Sequence, residues 1–184
     1  MLKMRDLHEV PVLFELMSHP EVFPFVREKA HTMDECYFLT RKIIEAEANN
    51  EAISRTILDE QLHPIGTIGL YDMEENHGFL ATWIGKPFFG KGFNQRAKTQ
   101  FLDEVFCTKG MDGVFMKVRT SNTRSIKAVL KLPYATLANE WYPQVYRDIN
   151  QSGSVYDLFV ITKDHYLSYQ QFSRPAETDE EEVS

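Results

Sequence analysis

The stretch PFFGKGFNQRAKTQFL, residues 87–102, joins two different periodicities. Before it lies an apolar strand-like run, FLATWIG. After it Phe93, Ala97, Phe101, Leu102, Val105 and Phe106 recur at helical spacing. Two glycines around one lysine, Gly90, Lys91 and Gly92, make the junction. A glycine-rich turn from strand to helix exposes unpaired N–H groups at the helix N-terminus. Glycine lets a ligand come close to the backbone, and the helix dipole favours an anion there. The lysine adds mobile positive charge, so the combination suits a pyrophosphate. A plain turn is the competing reading, and the motif alone favours it. GxxxxGK[ST] is absent, and Gln95 stands where GxGxxG needs its third glycine. Nucleotide kinases and Rossmann oxidoreductases are therefore disfavoured.

The chain has 184 residues, 43% hydrophobic and 26% charged, which suits one soluble domain with a sizeable core. We expect that domain to span residues 1–172. Residues 173–184 are expected to be a disordered acidic tail, because the last nine, AETDEEEVS, hold five acidic groups and no basic one. Formal net charge is −7. Without the tail the body is only mildly acidic, so duplex nucleic acid is not an expected partner. No long uncharged apolar run predicts a membrane span, and MLKMRDLHEV carries charge too early for a signal peptide. Cys36 and Cys107 are far apart in sequence and in no CxxC pattern. They read as free thiols in a reducing compartment, and a cytoplasmic location is expected. The six histidines show no metal-ligand spacing, so no metal is expected.

Along the chain, residues 2–5 read as a short strand. Asp6 with Glu9 fits a capping box opening a helix through Val10, Leu13, Phe14 and Met17. Thr32 with Glu35 repeats that grammar for a helix ending near Asn49 and Asn50. Strands are predicted over 52–58, 65–71 and 79–84, with turns at DEQLHP and DMEENHG. This is an antiparallel meander. The helix after the Gly-Lys-Gly turn runs to about Thr108, and residues 114–118 form the next strand. Strand, helix and strand of this length imply a right-handed crossover and parallel pairing. A short helix follows, capped by Ser121 or Asn122. Residues 135–149 and 154–162 read as a long hairpin turning at NQSG. The class is α/β, or α+β with a mixed sheet.

Two blocks carry a family resemblance. HPIGTIGLYDMEENHGFLATWIGKPFFGKGFNQRA is similar to the G-x-I-G-L strand, turn, W-I-G strand and GKG turn of the GNAT acyl-CoA-dependent N-acetyltransferases. VRTSNTRSIKAVLKLPY is similar to their next strand and N-x-x-S-I helix. The chain resembles most their ribosomal-protein N-acetyltransferase (Rim-type) branch, over roughly residues 1–166. The resemblance implies a mixed, mostly antiparallel sheet with a splayed parallel pair, flanked by helices. It implies acetyl-CoA as co-substrate, with the pantetheine arm on the strand end Trp83, Ile84 and Gly85. The pyrophosphate would lie on amides of Gly90, Lys91, Gly92, Phe93, Asn94 and Gln95, with Asn122 and Ser125 near the pantetheine. A backbone N–H of residues 83–85 would stabilise the thioester oxyanion. The sequence departs from the family pattern at several positions. Phe89 stands for a Gln or Arg, Asn94 for a small residue, Val129 for the helix tyrosine, Phe79 for a strand carboxylate, and Pro133-Tyr134 for Gly-Phe.

The implied reaction moves an acetyl group to a primary amine, either a protein N-terminal α-amine or a small amine, by direct attack on the thioester. An amine must lose a proton and a thiolate must gain one. Asp72, Glu74, Glu75 and His77 stand near the expected mouth, and His77 has the best-placed ordinary pKa. A solvated turn is the plainer reading of the four. Ser125 either donates to the thiolate or caps its helix. Tyr134, Tyr142 and Tyr156 line the acceptor pocket or belong to the core. A catalytically weak or inactive acyl-CoA-binding module of the same fold is the alternative, motivated by Val129 and Phe79. A phosphate- or nucleotide-binding domain unrelated to acyl transfer is another. The resemblance also allows a homodimer.

Overall fold

Strand pairing organises the first part of the chain in the computed structural model, which describes residues 1–153 and 155–173. The chain divides into two compact units, Met1–Met116 and a second starting at Lys117. The expected acidic tail lies outside the described residues, apart from the end of the last helix.

The first unit holds strands β1 (Leu2–Met4), β2 (Ile53–Leu58), β3 (Pro64–Glu74) and β4 (His77–Ile84), with helices α1 (Val10–Met17), α2 (Met33–Ala48) and α3 (Phe93–Asp103). Strand β5 (Gly113–Arg119) begins in this unit and ends in the next. β1 to β4 pair antiparallel in sequence order, with Thr56 opposite Thr67 and Thr67 opposite Trp83. β4 and β5 pair parallel through His77–Gly113, Gly78–Val114 and Phe79–Phe115. Among the described residues the pair goes no further, although β4 runs on to Ile84. The expected splay thus starts at Leu80.

The second hairpin is tighter than predicted. Residues 72–78 were expected to form its turn, but the strands run to Glu74 and restart at His77. Glu75 (φ 47°) and Asn76 (φ 59°) alone reverse the chain, both in the left-handed region that two-residue hairpins use. A register shift between Tyr71 and Glu74, with Asp72 at φ 50°, takes up the irregularity. His77 is therefore a strand residue.

The two capping signatures behave differently. Thr32 caps α2 by accepting from the Glu35 amide at 3.1 Å, and the Glu35 carboxylate accepts from the His31 amide at 2.6 Å. Asp6 accepts from the His8 amide at 2.9 Å and opens a 3-10 turn, Leu7–Glu9, before α1. Glu9 closes no capping box there. It is buried, accepts from the Thr56 hydroxyl, and pairs with Lys3 at 2.7 Å. Residues 18–32, a loop by their prolines, are held by burial of Val22, Val26 and Ala30 against Val10, Met17 and Cys36.

A buried ion triad joins the helices to the sheet. Arg55 on β2 pairs with Glu47 of α2 and with Glu104 just after α3. Burial pulls its pKa down, but Glu104 and Glu47 more than offset this and raise it.

In the second unit, helix α4 (Thr123–Leu130), strand β6 (Thr136–Leu137), helix α5 (Pro143–Ile149), strand β7 (Tyr156–Thr162) and helix α6 (Lys163–Ser173) follow β5. Asn122, not Ser121, caps α4 by accepting from the Ser125 amide at 3.1 Å. The long hairpin expected over 135–162 is a correction. Only Thr136 and Leu137 pair with β7, and Pro143 sits in the first turn of a helix, where its missing N–H is not needed. Asn150 ends that helix and holds the loop, donating to the Tyr146 and Tyr156 carbonyls and accepting from the Val155 and Tyr156 amides. The hydrogen-bonded strand order is β1-β2-β3-β4-β5-β7-β6, a mixed α/β fold with a mostly antiparallel sheet and one parallel pair. Among the described residues, no helix is long and apolar enough to cross a membrane.

Two stability outcomes follow from the first unit. Arg55→Met leaves Glu47 and Glu104 without their shared cation, and urea unfolding should show a loss on the order of 3 kcal/mol; an unchanged midpoint would contradict the triad. Lys98, partly buried on α3, makes no ion pair among the described residues, and burial lowers its pKa from 10.5 to about 8. The folded state then holds this proton less tightly than the unfolded state. Its penalty is complete below about pH 8 and fades as pH rises toward 10.5. Lys98→Met should therefore stabilise at pH 7 by about 1–3 kcal/mol, with the gain shrinking by pH 9.5 in the same assay; a gain independent of pH would contradict the burial argument.

Candidate functional site

The C-terminal end of β4 is paired on one side only. Ile84 lies opposite Gly66, and the Gly85 amide donates to the Ile65 carbonyl at 2.8 Å. On its other side the strand past Phe79 has left β5. Peptide groups along that edge are available to an extended ligand, as strand edges are.

From Gly85 the chain makes a 3-10 turn, Lys86–Phe88, with Phe88 N bonded to Gly85 O at 3.0 Å and Phe89 N to Lys86 O at 3.2 Å. It then passes Gly90 (φ 74°) and Gly92 (φ 78°), both in the left-handed region. A Cβ at Gly90 would meet nothing within 4 Å, and one at Gly92 would meet only the Arg96 guanidinium at 3.6 Å. The glycines are thus required by the backbone path, and the space above them is open. Gly92 is the N-cap of α3, and no side chain caps it. Phe93 is buried and anchors the first turn, while Asn94 and Gln95 are exposed. The result is a helix N-terminus whose first amides have no side-chain acceptor among the described residues.

Three cations surround this turn. Lys86 pairs with Glu21 and lies 5.3 Å from the Phe89 ring centre. Arg96 pairs with Glu60 at 3.1 Å and lies 4.6 Å over Phe93. Lys91 is exposed, with its ammonium 5.7 Å from the Phe88 ring and no carboxylate partner among the described residues. Its charge is the one left for an anion. The aromatic at Phe89, where the family pattern has Gln or Arg, packs against the α1 core cluster.

His77 stands elsewhere. It lies six residues before Trp83 on β4, about 20 Å along an extended strand. Its ring stacks on Phe115 at 5.3 Å, its Nδ1 lies 2.8 Å from the Glu75 carbonyl, and a Cβ on Gly113 would meet the ring at 2.4 Å. It packs in the closed part of the parallel pair. Asp72 is also occupied, holding both Arg27 amino groups at 2.8 and 2.9 Å.

In the second unit the Asn122 side chain and the Ser125 amide are joined as the α4 cap. Tyr134 is buried against Tyr166 and Tyr169, and Tyr156 lies beneath Lys117 and Arg119.

A feature not foreseen from the sequence adjoins Trp83. A partly open pocket, with a cavity volume of about 60 Å³, lies in the first unit between α1, residues 25–30, α2 and one face of β3 and β4. Arg5, Thr40, Tyr71 and Thr82 are among its walls. Gly69 makes room for the Tyr71 side chain in that wall, because a Cβ there would meet the Tyr71 hydroxyl at 2.6 Å. The pocket's walls come from distant parts of the chain, so no local pattern foretells it. Among the described residues, no group of three or more His, Cys, Asp or Glu is arranged to hold a metal ion.

This chain is similar to known proteins at three levels. A family model described as the acetyltransferase (GNAT) domain matches residues 2–134. An uncharacterized N-acetyltransferase, p20, of Bacillus licheniformis is 26% identical over 140 residues, covering 72% of this chain and 77% of that protein. Among solved structures, apo FdhC, a nucleotide-linked sugar GNAT, superposes with a TM-score of 0.75 at 18% identity, covering 94% of this chain and 92% of that one. The ribosomal-protein-S5-alanine acetyltransferase of Vibrio fischeri superposes with a TM-score of 0.69 at 14% identity, covering 90% and 93%. Both structural likenesses are likenesses of fold. By the extent of the family match, the chain belongs to the acetyltransferase (GNAT) domain family.

Proposed function

We propose that this chain transfers the acetyl group of acetyl-CoA to a primary amine by direct attack on the thioester. The observation that carries the reading is free backbone at two places on one stretch of chain. One is the edge of β4 that β5 leaves after Phe79; the other, past the Lys86–Phe88 turn, is Gly90-Lys91-Gly92 and the uncapped start of α3. An elongated ligand with an amide-bearing arm and a pyrophosphate matches both places.

In this reading residues 83–85 bind the pantetheine arm as an added strand. Amides of residues 90–95 take the pyrophosphate, with Lys91 as counter-charge. Asn122 and Ser125 enter through the family motif alone. The amine nitrogen attacks the thioester carbon, the C–S bond breaks, and the thiolate takes up a proton while the new amide loses one. A preorganised N–H at the end of β4 would bear the developing charge on the carbonyl oxygen. His77 is left out as proton acceptor, because it packs in the closed half of β4. The first acceptors to try are a peptide starting with alanine, for the ribosomal-protein branch, and small primary amines.

Gly92→Glu puts a carboxylate and a Cβ where φ is 78° and the anion would sit. Calorimetry should show acetyl-CoA affinity falling by about 100-fold or more, with far-UV circular dichroism unchanged. Unaltered affinity would refute the phosphate cradle. Acetyl-CoA binding by the natural chain without thiol release for any amine in the panel would favour the non-catalytic module instead.

A further inference from the structure

The pocket beside Trp83 is small and walled mainly by hydrocarbon. Thr67, Tyr71, Ala81 and Trp83 share one face of β3 and β4 and form its floor. Leu13 and Met17 of α1, Val26 of the following loop, and Leu39 of α2 build its sides. Thr82 pairs with Ile68, and its side chain belongs to the other face of the sheet. Trp83 itself packs against the core cluster that includes Met17, Val26 and Cys36. The apolar wall therefore reaches the strand end proposed for the thioester.

Charged groups in the lining offset one another. Arg27 donates from both amino groups to Asp72 and lies over the Tyr71 ring. Arg5 turns its Nη2 to the Thr40 hydroxyl at 3.4 Å, and its Nε is buried. Burial raises the pKa of the Tyr71 phenol, on which Arg5 and Glu28 act in opposite senses. Two arginines thus stand against two carboxylates, Asp72 and Glu28. The Tyr71 hydroxyl lies 3.3 Å from the Ser54 hydroxyl, and burial raises the pKa of the Cys36 thiol, so both stay uncharged near pH 7. A ligand end with its own charge, of either sign, would lose water here and meet no net opposite charge. An apolar end loses no hydrogen bond and covers hydrocarbon.

We propose that the acceptor is a monoamine with a short, uncharged apolar group, which this pocket takes while the nitrogen is presented at the Trp83 end of β4. The volume, about 60 Å³, limits that group to a short chain or a single branch. Among small amines this disfavours aminocarboxylates and diamines. The assignment rests on the acetyl-transfer reading above, since Trp83 belongs both to the pocket wall and to the strand end proposed for the thioester.

The experiment varies chain length and end charge separately. Thiol release is compared for the alkylamines from ethylamine to octylamine, and for aminocarboxylates and α,ω-diamines of the same lengths. For the alkylamines kcat/KM should rise about fourfold with each added methylene until the pocket is full, then level or fall. At the best length the alkylamine should exceed both charged series by about tenfold. No rise with length, a rise that continues through octylamine, or a charged series that is equal or better overturns the proposal. Leu39→Ala widens the α2 wall and should move the best length up by about one or two methylenes, while calorimetric affinity for acetyl-CoA stays unchanged. An unmoved best length overturns the proposal. Should Leu39→Ala fail to fold, Phe25→Ala, at a half-exposed lining residue, must cost the best alkylamine several-fold more in kcat/KM than it costs ethylamine. An equal loss overturns it. If acetyl-CoA binds but no amine reacts, the same series is read from calorimetric binding of the amines to the CoA complex, and affinity independent of length overturns the pocket assignment. A natural chain that fails to bind acetyl-CoA refutes the acetyl-transfer reading, and length-dependent alkylamine binding that Leu39→Ala shifts would still uphold the apolar pocket.

Discussion

Strand β4 is held firmly by β3 along its length and by β5 only at its first three residues. That asymmetry is the constraint on which the rest of the site depends. A strand edge without a partner leaves peptide groups that must find water or a ligand. Here the free edge leads, through the short Lys86–Phe88 turn, to glycines with left-handed backbone and a helix that no side chain caps. Donors that an ordinary fold would satisfy internally are left aligned along one path. The closed half, by contrast, is sealed by side chains, with His77 stacked on Phe115 and Phe79 5.5 Å from the same ring.

The wall of the pocket beside Trp83 depends on a different kind of order. Residues 18–32 have no regular helix or strand of more than one short turn, yet Val22, Val26 and Ala30 are core residues. The wall they build is therefore part of the packed interior. Arg55 ties α2 to the sheet from β2, and α2 carries Cys36, Leu39 and Thr40 into the cavity wall.

Features set by local chemistry were legible in the sequence. The Thr32 cap, the three-strand meander and the Gly-Lys-Gly turn each depend on neighbours in the chain, and each stands where the residues indicated. Errors arose where a distant partner decides. Glu9 satisfied a capping pattern but is claimed by Thr56 and Lys3 across the first unit. His77 read as a turn residue because the hairpin needs only Glu75 and Asn76 to reverse. Residues 135–149 read as one arm of a long hairpin turning at NQSG, whereas Pro143 starts a helix that Asn150 terminates with four side-chain bonds. The pocket beside Trp83 had no signature in any spacing rule, since only the sheet and helices together bring its walls to one place.

The central claim is that free backbone along β4 and at the start of α3 receives acetyl-CoA. Residue-resolved amide hydrogen exchange, with and without saturating acetyl-CoA, tests it most directly. Exchange should slow at residues 90–95 and along the outer edge of residues 80–84, and stay unchanged at residues 77–79. Unchanged exchange at residues 90–95 under saturation would contradict it.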